Sequence, residues 1–129
     1  MDRIGLLGFS AGGHAAGLAA LSPSDNTDER VELAILCYPV VYMELDTHQI
    51  SREQLIGFDA TSIDRAATSL DRLVTQNSPE FFVWHTAEDE LHVFDKGAHG
   101  LGLEIGEAGA EQWKALCADW LRRKGWTTV

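Results

Sequence analysis

Residues 31–41, VELAILCYPVV, carry one charged side chain, Glu32, in an otherwise unbroken apolar run. A strand with one face in water alternates polar and apolar residues. A strand covered on both faces does not, and near-continuous hydrophobicity of this kind belongs to parallel sheets sandwiched between helices. The run is also far shorter than the ~20 residues a membrane-spanning helix needs. Pro39 lacks an N–H, so it belongs at the end of the strand. A parallel neighbour requires a crossover of a dozen or more residues, usually a helix, so this run alone points to alternating strands and helices.

The rest of the chain supplies that alternation. Arg3–Phe9 is a second short apolar run, stopped by Gly8 and the pair Gly12-Gly13, and Ala11–Leu21 reads as a helix ended by Ser22-Pro23. The stretch Ser24–Arg30 is polar, and Asp46–Ala60 is mixed, with one short helix around Arg52–Ile56. Ser62–Thr75 has helical spacing through Ile63, Ala66, Ala67, Leu70 and Leu73/Val74, capped by Thr61 or Ser62. Asn77-Ser78-Pro79 breaks the chain, and Phe81–His85 and Leu91–Phe94 read as two further strands. In Glu107–Lys124 the residues Trp113, Leu116, Cys117, Trp120 and Leu121 form one apolar stripe, with Gly125 as the stop. The order predicts an α/β domain, a mostly parallel sheet flanked by helices, spanning residues 1–129 as one unit.

Charge and cysteine content narrow the function. Ten basic against twenty acidic residues leave a net charge of −10, which argues against nucleic acid or an anionic membrane as partner. Cys37 and Cys117 lie in apolar settings and read as reduced core thiols. No His or Cys pattern suggests a metal, and no cofactor is expected. Residues 1–20 hold no secretory leader, which makes a cytoplasmic location the expectation; a leader ahead of Met1 would change it.

One motif carries chemistry. Gly8-Phe9-Ser10-Ala11-Gly12 fits G-x-S-x-G at a strand-to-helix junction, the context that gives the pattern meaning. A hydroxyl attacks only when a base removes its proton, so it must stand clear of the backbone within reach of an imidazole. A sharp turn achieves that, and the N–H of Ala11, in the first helical turn, is available to an oxyanion. The competing explanation is a small-residue packing turn. His14 lies one helical turn beyond Ser10, but its expected direction is the helix–sheet interface.

With these residues in view, IGLLGFSAGGHAAG, AILCYPVV, THQISREQLIG, SPEFFVWHTAEDE and LHVFDKGAHGLGL resemble the serine esterase branch of the α/β-hydrolase fold. The likeness is to acetyl-xylan-esterase-like and hormone-sensitive-lipase-like carboxylesterases. It implies Ser10 as nucleophile, Asp89 as the acid that orients the imidazole, His99 as the base, and Ala11 N–H as one oxyanion donor. It also implies a small-molecule or carbohydrate ester as substrate. Asp89 sits in the run Glu88-Asp89-Glu90, so a solvated loop, or Glu88 in its place, stays open. His85 and His92 read as structural, and His48 as a surface residue.

Two parts of the family pattern are not in this sequence. The early strands and the His-Gly-Gly motif, source of a second oxyanion donor, have no counterpart ahead of Ser10. Only Glu90 separates Asp89 from Leu91, where two parallel strands would need a dozen-residue crossover. If Leu91–Asp95 instead ran away from the active end, five residues at ~3.3 Å would carry His99 about 16 Å from Ser10, against the ~3 Å a proton transfer needs. Omitted stretches of a longer chain, a strand exchanged with a second copy, or rearranged pairing would each resolve this. Three functions therefore compete: a serine esterase, a peptidase or thioesterase on the same scaffold, and a non-catalytic remnant that associates through an exposed sheet edge.

Overall fold

The computed structural model describes residues 3–22, 24–44, 48–85 and 112–128. They form β1 (Ile4–Phe9), α1 (Ala11–Leu21), β2 (Val31–Cys37), α2 (Gln49–Ile56), α3 (Ser62–Thr68), α4 (Leu70–Leu73), β3 (Glu80–Trp84) and α5 (Gln112–Arg123). The three strands make one sheet in the order β1-β2-β3, parallel throughout. This is the open, parallel sheet flanked by helices that the sequence predicts. The strand expected at Leu91–Phe94 lies outside the described residues.

Both faces of β2 are buried, as its composition requires. Leu33, Ile35 and Cys37 pack with Trp84, Trp113 and Cys117 on the α5 side. Ala34 and Leu36 pack with Ala20 and Leu70 on the α1–α4 side. Gly17 of α1 lets Leu70 approach, since a Cβ there would lie 2.5 Å from a Leu70 methyl.

Several boundaries differ from expectation, each for a local reason. The second strand stops at Cys37, four residues early, because Tyr38 takes a left-handed φ of 38° ahead of Pro39. The helix over 62–75 is broken at Ser69. There the backbone N–H of Leu70 bonds the carbonyl of Val41 at 2.8 Å instead of continuing the helix, and the fully buried Ser69 hydroxyl accepts the Met43 N–H at 2.8 Å. Ile63 and Val74, placed on the apolar stripe by spacing, are exposed, as is Leu116 of α5. The C-terminus of α5 is as expected. Gly125 has φ 69°, and the N–H groups of Gly125 and Trp126 bond the carbonyls of Arg122 and Leu121, the paired bonds of a glycine stop.

Candidate active site

The sheet register aligns Phe9, Cys37 and Trp84 at one rim, the carboxyl ends of the strands. This is where open α/β sheets bind ligands. Two bonds beyond the ladder tie the rim together: Ser10 N–H to the Cys37 carbonyl at 2.9 Å, and Tyr38 N–H to the Trp84 carbonyl at 2.7 Å.

Ser10 sits between β1 and α1 with φ 51° and ψ −120°. That combination is outside the small left-handed well open to non-glycine residues, and such conformations cost about 1–3 kcal/mol. The surroundings hold it there. Its N–H is bound to β2, its carbonyl accepts the first helical bond from His14 N–H at 3.1 Å, and α1 folds back over Gly8. A methyl on Gly8 would overlap the Gly12 carbonyl and come within 2.8 Å of Gly13 Cα. Gly13 in turn accommodates Pro39, whose Cβ would be 3.0 Å from a side chain there. Gly12 faces open space, so packing among the described residues does not require a glycine at the last position of the pentad.

A serine at the N-cap of a helix ordinarily accepts a hydrogen bond from the first turn. Ser10 makes no such bond, so its hydroxyl is not spent on capping. The N–H of Ala11 belongs to the first turn, where amides have no intrahelical partner. The nearest thiol is no rival nucleophile. Burial pushes Cys37 up to about 11, leaving it protonated at neutral pH, and only the thiolate attacks. Cys37 and Cys117 are both free and buried.

The other histidines fall into place. His14 is buried, and its Nε2–H donates to the Thr68 carbonyl at 2.7 Å, linking α1 to the end of α3. Burial lowers its pKa, and that hydrogen bond opposes the effect only in part. It points away from Ser10's role, toward packing. His48 is more than a surface residue: its ring nitrogen accepts the Ser51 N–H at the start of α2. His85 is buried at the end of β3. Asp89, His92 and His99 lie outside the described residues.

What the described residues do establish is where the intervening chain is attached. It leaves at His85, on the rim. It rejoins at α5, whose Trp113 stacks on Trp84 at 5.2 Å and meets Phe9 edge-on at 6.2 Å, also at the rim. The other end of α5 lies at the opposite edge, where Lys124 pairs with Glu80 at 2.5 Å. Phe9 and Trp84 are thereby core aromatics, Trp84 with no exposure at all. One rim feature, the positive φ of Tyr38, had no sign in the sequence beyond the Tyr-Pro pair at a strand end.

Among the described residues no group of three metal-ligating side chains occurs, and no helix is long and apolar enough to cross a membrane. No family model matches the chain. It is similar to the structure of an acetyl ester-xyloside bifunctional hydrolase from Caldicellulosiruptor lactoaceticus, with a TM-score of 0.86 and 30% identity over 97% of this chain and 58% of that one. A sugar hydrolase from Lactococcus lactis matches with a TM-score of 0.69 and 25% identity, over 95% of this chain and 59% of that one. Thermogutta terrifontis esterase 2, at 18% identity and a TM-score of 0.69, shares the fold. An endo-1,4-beta-xylanase B from Butyrivibrio fibrisolvens is 30% identical over 130 residues, which take in 77% of this chain and 20% of that protein. The chain thus spans less than two thirds of each. Because 77% of 129 residues is about 99, about 31 positions of the 130-residue match have no counterpart here.

Proposed function

We propose, from the premise that this chain carries part of the α/β-hydrolase fold of the esterases, that it is a serine carboxylesterase acting on short acyl esters, chiefly acetyl. The observation that carries this is the strained φ of 51° at Ser10, combined with a hydroxyl that does not cap the helix it precedes. Ser10 Oγ attacks the ester carbonyl while His99 takes its proton and Asp89 orients the imidazole. Ala11 N–H donates to the oxyanion. The alcohol leaves with the proton held by His99, and water then releases the acid from the acyl-serine by the same path. Acetylated sugars of the xylan type are the proposed natural esters, supported by the names of the relatives that act on xylan and on acetyl ester-xylosides. Ester substrates of this size need neither a positive surface nor a membrane, in keeping with the net charge of −10.

The test is reaction with a fluorophosphonate probe and with p-nitrophenyl acetate. One label per chain on the Ser10 peptide, lost in Ser10→Ala, is the expected result. Labelling that survives in Ser10→Ala removes Ser10 from the mechanism. The competing function is a non-catalytic fold that serves as an association module. Absence of any label from the folded chain selects it.

A further inference from the structure

The segment that follows β2 leads to a cavity the acyl-transfer steps do not use. Past Pro39 the chain runs through Val41, whose carbonyl accepts the Leu70 N–H at 2.8 Å, to Tyr42 and Glu44. These two residues, with Ser62 and Arg65 of α3, line a surface cavity of about 240 Å³. Two links tie it to the rim. The segment starts where β2 ends, beside the end of β1 that carries Ser10. Thr68, one helical turn past Arg65, accepts the 2.7 Å bond from His14, itself one turn past Ser10.

The lining groups differ in how well they are satisfied. Glu44 Oε2 accepts from Arg72 at 2.9 Å, the Glu44 carbonyl accepts from Arg52 at 2.7 Å, and the Tyr42 hydroxyl faces the same carboxylate. The Arg72 guanidinium holds this carboxyl below the ordinary carboxylate range, so it is ionised at neutral pH. A carboxylate offers about four acceptor sites, which leaves room for a further donor. Arg65 is in the opposite condition. Its Nε is buried, and among the described residues no acceptor meets it. A buried donor left unpaired keeps its whole desolvation cost.

We infer that this cavity binds a saccharide through two neighbouring hydroxyls, one donating to Glu44 and one accepting from Arg65 Nε. The lining selects that class. An anion would suit Arg65 but face the Glu44 carboxylate. An acyl chain would leave Nε unpaired, and a cation would face Arg65 beside Arg52 and Arg72. A hydroxyl both donates and accepts, so a diol satisfies the two groups at once. The cavity therefore takes the sugar of an ester rather than its acyl group. That the sugar is of the xylose type rests on the esterase function proposed above; the pairing of donor with acceptor does not.

Titration of the full chain with xylotriose, followed by amide chemical shifts and by calorimetry, tests this. Saturable binding is expected, with shifts centred on Tyr42, Glu44, Ser62 and Arg65. Arg65→Met and Glu44→Gln should each weaken it by about tenfold, the worth of one hydrogen bond to a charged group. Sodium sulfate and sodium butyrate, an anion and an acyl chain without a diol, should leave those shifts unmoved. Xylotriose that gives no saturable shift at these residues overturns the inference. So does binding that both variants leave unchanged, or sulfate or butyrate occupying the cavity in its place. Should a variant fail to fold, the shifts of the unaltered chain decide. Xylotriose binding kept by a folded chain that no fluorophosphonate labels sinks the esterase function alone. A labelled Ser10 without xylotriose binding sinks this site alone.

Discussion

At the level of single residues, two non-glycine residues among those described take positive φ, Ser10 and Tyr38, and Ser10, at ψ −120°, falls outside the left-handed well. Glycine adopts positive φ without penalty, so Ser10→Gly should raise stability by about 1 kcal/mol relative to Ser10→Ala, measured by urea unfolding, while both abolish labelling by the probe. Equal stability of the two variants would mean that φ 51° costs nothing here. Gly8 was legible in advance, because a pentad at a strand–helix junction demands close backbone approach and α1 does fold onto it. Tyr38 was not. A residue before proline is biased toward extended backbone, yet Tyr38, with its N–H bound to the Trp84 carbonyl, takes φ 38°.

Between elements, the His14–Thr68 bond joins α1 to α3, and burial of the imidazole ties stability to pH. The lowered pKa means that the unfolded chain binds more protons than the folded one once pH falls below the ordinary histidine value. Stability from this group is therefore full above about pH 6.5 and declines as pH drops through that value toward the folded pKa. Urea midpoints between pH 5 and 8 should show that slope, and His14→Gln, which cannot be protonated, should flatten it. An unchanged slope in the variant would assign it to other groups. The boundaries of α1 and the glycine stop of α5 followed from local chemistry. The break between α3 and α4 did not, since no glycine or proline marks it and a tertiary bond to Val41 makes it.

For the whole molecule, the chain between His85 and Gln112 starts and ends at the rim that carries Ser10. The roughly 31 positions absent relative to the xylanase are about what a crossover helix and its turns occupy. A chimera with a segment of that length inserted between Glu90 and Leu91, where the family resemblance calls for a crossover, should raise turnover of p-nitrophenyl acetate by about 10²–10⁴, the contribution of a positioned general base, without changing the site of labelling. Turnover unchanged in a folded chimera would show that the length of this segment does not limit catalysis. The amino-acid sequence alone determined the layered α/β class, the parallel sheet and the placement of Ser10 at a strand–helix junction, because hydrophobic periodicity and glycine placement act within a few residues of chain. Tertiary structure decided the positive φ of Ser10 and Tyr38, the split helix and the burial of His14, because each depends on hydrogen bonds and contacts between segments far apart in sequence.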